Sequence, residues 1–274
     1  MTTLQRIIKY CAVAFAIFLA VSIITGILGG ISAVGFLFSG GSKVGEMQTY
    51  SIGSGVENLD VGLSAANLEI VTGDGFALQS NHKYLKVKEQ DGTLTISESK
   101  GLWKMSAKEI KVILTLPEGC VLEDFRLTAG AGKVKIQSLS ANTLRMELGA
   151  GAVEIGSLNA ASRAEISGGA GMLVIGGGAL HDLSLDVGVG KLEMTSSLTG
   201  DCSLDCGIGE TRLTLPGSEE DYKIKLDKGI GNTTLNGKAM VDDSVYGAGE
   251  NRLDIDGGIG AIVITTGSRT AGKN

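Results

Sequence analysis

Apolar and polar residues alternate along much of the chain, and one apolar phrase interrupted by glycines returns throughout its C-terminal half. The phrase reads "LDVGVGKLEM" from Leu185, and the other copies share its order of apolar, polar and glycine positions; they begin at Leu127, Met146, Ile166, Leu204, Leu226 and Ile255. Successive copies are 19, 20, 19, 19, 22 and 29 residues apart. Alternation with a period of two is typical of a half-buried strand, and such regular spacing indicates stacked repeats.

Each copy predicts two short strands that meet at a Gly-x-Gly corner. In the copy at Leu185 the inward parity changes between Val189 and Leu192, so the corner has to absorb one residue. Glycine does this at low cost because it accepts a positive φ. A turn such as "SLSANT" or "SSLTGD" is expected after each pair of strands. The repeats therefore predict an all-β fold, with a regular β-solenoid of coils of about 19–22 residues over residues 120–267.

The segment before the regular repeats predicts less regular β structure. Residues 48–119 contain a degenerate copy, "LDVGLSAANLEIV", and a hairpin candidate, "YLKVKEQDGTLTIS", that turns at Asp91 and Gly92. A linker is expected over residues 39–47, and a flexible tail over residues 268–274. No obvious element caps the last coil beyond that polar tail, so the solenoid end is expected to expose strand edges.

The N-terminus predicts a membrane anchor. Residues 10–38 contain no charged side chain, which exceeds the roughly 20 residues needed to cross a bilayer. Arg6 and Lys9 precede this segment, so the bias of positive charge places residues 1–9 in the cytoplasm and the β domain outside. A cleavable signal peptide is the alternative, but its apolar core is usually shorter.

Composition narrows the choice of partners. The chain has 43% hydrophobic residues, enough for a substantial core, and a formal net charge of −6. No predicted strand carries a basic stripe with interleaved aromatic residues, so nucleic acid is not an expected partner.

The cysteines are predicted to be core residues. Cys202 takes the place that Leu183 and Ile224 hold in the copies expected on either side, and Cys206 takes the place of Val187. A redox pair or metal site is the alternative for two cysteines four residues apart. Neither a disulfide framework nor a four-ligand metal site is predicted.

An outward column of aspartates is the most distinctive charged feature. It contains Asp186, Asp205, Asp227 and Asp256, which stacking would place about 5 Å apart. Like charges this close repel one another, and Ca²⁺ or a cationic partner would relieve the repulsion. The alternative is a solvated face whose charge is balanced by nearby cations, namely Lys191, Arg212, Lys225 and Lys228.

The sequence contains no constellation that predicts catalysis. His82 and His181 lack a serine or cysteine partner in a recognisable motif, and the "SESK" at residues 97–100 lacks the companion motifs of serine hydrolases of that type. Coils of 19 or 20 residues leave little loop from which to build a substrate cleft. We therefore predict a protein that is not an enzyme, with no catalytic residue, cofactor site or metal site.

The chain resembles the bacterial adhesin-like family DUF4097, also described as toastrack domains. The resemblance lies in the strand "VILTLP" followed by glycine at residues 112–119, in the recurring GxG coils, and in the closing "GAGENRLDIDGGIGAIVI", and it covers residues 48–266. It implies a single N-terminal tether in a bacterial membrane and an association with cell-envelope stress systems.

These inferences lead to one expected function and one alternative. The expected function is a non-enzymatic, membrane-tethered, extracytoplasmic scaffold that binds an envelope protein or polymer of unknown identity. The alternative is an accessory component of a cell-envelope stress-response signalling system.

Overall fold

The computed structural model describes residues 44–98 and 109–267, which form an all-β fold. The predicted anchor at residues 10–38 and the tail at residues 268–274 lie outside the described residues. Within the described ranges, the helical content is limited to a short 3-10 turn, Glu219–Asp221, and no helix has the length and hydrophobicity that crossing a bilayer requires.

Seventeen strands make up the described part of the chain. They are, in chain order, β1 (Val44–Tyr50), β2 (Asn58–Ala65), β3 (Asn67–Gly73), β4 (Ala77–His82), β5 (Leu85–Gln90), β6 (Thr93–Glu98), β7 (Lys111–Pro117), β8 (Leu122–Ile175), β9 (Ala179–His181), β10 (Leu183–Thr195), β11 (Ser197–Thr199), β12 (Asp201–Leu215), β13 (Tyr222–Asp227), β14 (Ile230–Leu235), β15 (Lys238–Ala239), β16 (Ser244–Tyr246) and β17 (Asn251–Thr266). β1 begins inside the segment that the sequence predicted to be a linker.

The repeats stack in parallel, as predicted. β10 lies between β8 and β12, and Leu185 is in register with Ile166 on one side and with Leu204 on the other. The inner column formed by the first residue of each copy is at most 2% exposed along its whole length; its members are Leu127, Met146, Ile166, Leu185, Leu204, Ile255 and Leu226. Residues about 19 positions apart therefore pack against one another and form one continuous core.

The segments predicted to be turns contribute a third short face. β9 pairs in parallel with β11, and Leu180 is in register with Ala160 and Leu198. Both leucines are at most 1% exposed, and Leu158 is fully buried. The prediction of two strands and a turn was wrong here, because a single apolar residue among small polar ones gives too short an alternation to indicate a strand.

The Gly-x-Gly corners stack into two ladders of glycine. Each glycine-cornered repeat forms one rung of the stack. In the second ladder φ is positive at every such rung, +145° at Gly190 and at Gly209. A Cβ atom on Gly209 would lie 1.7 Å from the carbonyl oxygen of Gly190, so no other residue fits while the rungs keep their spacing. The repeated phrase thus owes its glycines both to the turn and to the close approach of successive backbones.

The order of rungs at the C-terminal end differs from the order in the chain. β17 lies between β12 on one side and β13 and β14 on the other, pairing in parallel with all three. Cys202 is consequently in register with Leu253, and Leu253 with Ile224. The prediction that Cys202 neighbours Ile224 was wrong, because the last copy in the sequence is the last but one in the stack.

The N-terminal end shows the same exchange. β2 lies between β6 and β8, and β3 lies between β7 and β8, in parallel throughout. The degenerate copy predicted in β2 and β3 is confirmed, with Ser64 and Ala66 beneath the first two corner glycines of β8. The first and the last repeat along the described chain are therefore each held between neighbouring strands on both sides.

Antiparallel strands cover the ends of the stack. β5 pairs with β6 through a turn in which Asp91 and Gly92 both have positive φ, which confirms the predicted hairpin. β4 pairs with β7, and β1 with β4. At the opposite end β16 pairs with β13 and β15 with β14, so the expectation of an uncapped end was wrong: the insertion before the last copy supplies the cap.

Candidate functional site

The predicted aspartates form one ladder on the outer face of the stack, which we call the Asp ladder. Asp186 is in register with Asp205, Asp205 with Asp256, and Asp256 with Asp227. All four side chains are exposed. Parallel strands lie about 4.8 Å apart, so the ladder spans about 14 Å. The rung exchange changes the order of these aspartates without interrupting their column.

The cations expected to balance the ladder pair with other groups. Lys191 Nζ lies 2.6 Å from Glu193 Oε1, and Arg212 pairs with Glu210. These pairs lie beyond the Gly-x-Gly corner, on the second strand of each rung, because the bend carries the chain onto another face. Within the part of the chain that the structure describes, no ion pair joins the Asp ladder to Lys225, Lys228 or any other cation.

The Asp ladder does not form a convergent metal site. Its carboxylates follow one line along the stack, whereas Ca²⁺ takes six to eight oxygen ligands gathered around one point. Among residues 44–98 and 109–267, no group of three or more His, Cys, Asp or Glu side chains has an arrangement that could hold a metal ion. The arrangement is instead suited to an extended cationic surface.

Two shallow grooves lie along the Gly-x-Gly corner. The residues between the two glycines contribute to both, Ala131, Ala150, Ala170 and Val189 to one and Ile208, Ile259 and Ile230 to the other, and core residues such as Cys206 and Thr211 also line the second. Val189, Ile208 and Ile259 are half-buried, and Ile230 is 55% exposed. Each aspartate stands three residues before the aliphatic residue of its own rung, but no member of the Asp ladder lines either groove.

The rungs that begin at Leu127, Met146 and Ile166 carry a different surface, and we call them the alanine half; the four rungs with the Asp ladder are the acidic half. In the alanine half, the guanidinium groups of Arg145 and Arg163 both pair with Glu165. The hydrogen bond from Arg145, followed by the charges of both arginines, lowers the pKa of Glu165. The alanine half therefore carries an ion-paired cluster on its outer face.

The cysteines are core residues, as predicted. Cys202 is 3% exposed and Cys206 is 6% exposed, and both thiols are free. Burial raises the pKa of both thiols, and the charges of Asp205 and Asp256 raise that of Cys206 further. Cys206 accepts a hydrogen bond from the Thr211 hydroxyl at 3.6 Å, which accommodates a polar residue at an inner position. These thiols are poor nucleophiles.

The two histidines lie in separate places. His82 Nε2 lies 3.7 Å from Glu98 Oε1, where β4 and β6 end. His181 Nδ1 lies 3.0 Å from the Thr199 hydroxyl, and its Nε2 lies 3.6 Å from Asp182 Oδ1. The sequence did not indicate the group formed by His181, Thr199 and Asp182, because Thr199 is 18 residues from His181 and comes beside it only through stacking.

Hydroxyl, imidazole and carboxylate thus follow one another at His181 in the order of a hydrolase triad. However, the imidazole-to-carboxylate distance exceeds that of a hydrogen bond, and the side chains of His181 and Asp182 are 43% and 47% exposed. Neither His181 nor Asp182 lines either groove at the corner. A triad depends on a carboxylate that orients the imidazole and on a site that shields the reaction from water, and this group has neither feature.

The aliphatic column at the corner escaped the sequence analysis. Alternation predicts an inward core position for Val189, whereas the structure leaves it half-buried at the corner. The signal was present nonetheless: the residue between the glycines is alanine in the first three copies and valine or isoleucine in the last four.

Several crystal structures are similar to this fold. A proposed cell adhesion protein from Clostridium sporogenes is 17% identical with a TM-score of 0.37, over 81% of this chain and 99% of that one. A proposed adhesin from Bacteroides fragilis is 18% identical with a TM-score of 0.40, over 82% and 100%. A proposed lipid-binding protein from Parabacteroides distasonis is 14% identical with a TM-score of 0.28, over 81% and 94%.

No curated protein matches the chain. A family model does: the one described as Toastrack DUF4097 matches residues 52–247, which is more than half of the sequence. The match spans both ends of the stack and all but the last of the glycine-cornered copies. The chain therefore belongs to the DUF4097 family.

Proposed function

We propose that this protein is a non-enzymatic scaffold, tethered to the bacterial membrane by residues 10–38, whose extracytoplasmic β stack binds another envelope component through its acidic half. The observation that carries the proposal is the Asp ladder, which is in register over four rungs, exposed and without an ion pair among the described residues. Such a surface repels itself and attracts a cationic partner.

The constancy of the interior supports this proposal. The first inner column is buried to the same degree in the alanine half and in the acidic half, with Leu127 at 1% exposure and Leu204 at 2%, although the acidic half also buries Thr211 and Thr233 at inner positions. The fold therefore does not require the change in surface chemistry.

The tether remains a sequence-based part of the proposal. Residues 10–38 contain no charge, and Arg6 and Lys9 lie on the side assigned to the cytoplasm. Protease added to intact cells from which the wall has been removed should cut the β stack but leave residues 1–9 intact. Full protection of the stack in intact cells, with cleavage after lysis, would contradict this orientation.

Site-specific photo-crosslinking in living cells tests the binding face. A photo-reactive residue replaces Ser203, which is exposed in the acidic half, and in a matched variant it replaces Thr128, which is exposed in the alanine half. We expect a crosslinked species, protein or polymer, from position 203 and little or none from position 128. Equal yields from both positions, or no adduct from either, would contradict the assignment of the binding face.

A further inference from the structure

Two edge strands, β1 and β5, close the N-terminal end of the stack. β5 pairs with β6 and β1 pairs with β4, and neither has a second partner among the described residues. The turn that connects β4 to β5 lies beside the start of β1, because Val44 is in register with His82. Lys83 in this turn crosses β1, with its Cγ 3.4 Å from where a Cβ atom on Gly45 would stand. We call β1, β5 and this turn the N-terminal edge.

The N-terminal edge follows closely on the predicted anchor. In the proposed function residues 10–38 cross the bilayer, and residues 39–43 alone separate them from β1. Five residues span at most about 18 Å when fully extended. The start of β1 therefore cannot lie further than this from the bilayer, and the Lys83 turn beside it stays close to the headgroups.

Exposed cations and an aromatic ring gather at the N-terminal edge. Lys83, Lys86 and Lys88 are exposed and have no ion pair within the part of the chain that the structure describes. Tyr84 is 51% exposed, and Met47 on β1 is 48% exposed. Lysine is attracted to anionic headgroups, and tyrosine prefers the level of the headgroups, where its ring is in an apolar environment and its hydroxyl is in water. The edge thus presents the side chains that favour a membrane surface.

The acidic groups near the turn leave this edge locally cationic. His82 Nε2 lies 3.7 Å from Glu98 Oε1, and Lys111 Nζ lies 3.5 Å from Glu109 Oε2, so both carboxylates have a basic neighbour. Glu46 on β1 is exposed, and Glu89 on β5 accepts a hydrogen bond from the Gly53 amide at 2.8 Å. Other exposed acids lie further from the turn, namely Glu57 and Asp91 at the opposite end of β5, Asp74 before the start of β4, and Asp60 two strands inward.

The opposite charge stands at the other end of the stack. β5 and β10 are six strand spacings apart, counted through β6, β2 and the three rungs of β8, so Asp186 lies about 29 Å from β5. The Asp ladder continues away from there. An anionic surface attracts the lysines of the N-terminal edge and repels the Asp ladder. It therefore favours an upright stack over one that lies on its side.

We propose that the N-terminal edge docks on the anionic phospholipid headgroups of the membrane that holds the anchor, and that this contact holds the acidic half away from the bilayer. The inference goes beyond the proposed function but rests on its tether. Each lysine near an anionic surface contributes about fivefold to binding, so three shift the balance between docked and undocked edges by about a hundredfold. Contacts of this strength are sufficient where an anchor already keeps the edge close to the lipid.

Hydroxyl-radical footprinting of the full chain in lipid nanodiscs tests the docking. The radical oxidises exposed tyrosine and methionine, so Tyr84 and Met47 report on the N-terminal edge, and exposed Met172 in the alanine half is the internal control. Nanodiscs of phosphatidylcholine are compared with nanodiscs in which one-third of the lipid is phosphatidylglycerol. We expect the anionic lipid to slow oxidation of Tyr84 and Met47 at least about threefold and to leave Met172 unchanged. The protection should disappear at 1 M salt, where the Debye length falls to about 3 Å.

Two triple variants locate the contact. The first removes the lysines of the N-terminal edge, K83Q, K86Q and K88Q, and should abolish the difference between the two lipids. The matched control removes the same charge from the opposite end, K223Q, K225Q and K238Q, which are exposed positions, and should keep the full protection. Thermal unfolding checks the fold of each variant, and the comparison of the two lipids on the wild-type chain holds even where a variant fails to fold.

Three results would overturn the inference. They are equal oxidation of Tyr84 in the two lipids, equal protection of Tyr84 in the two triple variants, and protection of Met172 as strong as that of Tyr84, which would show a stack lying on its side. Gel filtration separates this failure from that of the proposed function. A chain that does not elute with the nanodiscs would contradict the tether and the docking together, whereas a chain that elutes with them and shows no protection would contradict the docking alone.

Discussion

The alanine half and the acidic half share one interior and differ on the outside. In both, the inner columns are buried and the corner glycines approach the rung before them, with a Cβ atom on Gly151 or Gly209 lying 2.0 or 1.7 Å from a carbonyl oxygen. On the surface, both halves contain ion pairs, such as Arg145–Glu165 and Lys191–Glu193, but the acidic half also carries the Asp ladder, which has no ion pair within the described residues. The residues that hold the stack together are therefore common to both halves, whereas the outward-facing residues are not.

The largest expected effect comes from the glycine ladder and should be the same in both halves. Gly209→Ala places a Cβ against the backbone of the preceding rung at φ +145°, and Gly151→Ala does so at φ +156°. We expect each to lower the free energy of unfolding by at least about 3 kcal/mol, measured by denaturant titration. Gly62→Ala is the control, since nothing lies within 4 Å of its Cβ position. Tolerance of either ladder substitution would refute the close stacking.

The inner column should also respond equally in the two halves. Leu204→Ala and Leu127→Ala each remove a side chain that is at most 2% exposed. We expect each to cost about 2–5 kcal/mol, because buried contacts are lost and a cavity remains. A cost confined to one half, in the same denaturant titration, would show that the two halves do not share a continuous core.

The Asp ladder should distinguish the halves. Asp205→Asn removes a carboxylate flanked by Asp186 and Asp256, so we expect the unfolding free energy to rise by about 0.5 kcal/mol at low salt and the gain to shrink as salt is added. Glu147→Gln removes a carboxylate whose charge favours the charged form of Arg145, so no gain is expected there. A gain from Glu147→Gln as large as that from Asp205→Asn would remove the contrast between the halves.

The smallest effect should come from the exposed ion pair of the alanine half. Arg145 lowers the pKa of Glu165 from its usual 4.5, so this pair stabilises the fold above that pH, and the contribution is lost as pH falls through the lowered value. The unfolding free energies of wild type and Arg145→Gln should therefore differ slightly at pH 7 and converge in acid. A difference that grows on acidification would show that the pairing has the opposite sign.

The repeat predicted the interior well because period-two alternation and a fixed spacing report directly on burial. The adjacency of Leu185 and Leu204 follows from these two signals alone. The order of rungs does not, since near-identical rungs offer one another the same hydrogen-bond ladder in any order. The 29-residue spacing before Ile255 was the available clue: it leaves enough chain to cover the end and return inside the stack.

The candidate site was predicted in part for a related reason. The column of aspartates follows from the repeat, but the partners of Lys191 and Arg212 depend on which face each residue occupies after the corner. One absorbed residue at the corner moves both cations away from the Asp ladder. The apolar corner residues are found only by comparing one copy with another, because alternation within a single copy marks them as core positions.

The exchange of rungs at both ends has a mechanical consequence. In a simple stack of parallel coils, a pull on either end of the chain detaches one ladder at a time, so the coils separate one after another. Here the outermost repeats, β2 with β3 and β17, each hold neighbours on both sides. Force applied at the C-terminal end must therefore shear both ladders of β17 at once, whereas force at the N-terminal end first separates β1 from β4 and meets two ladders only at β2.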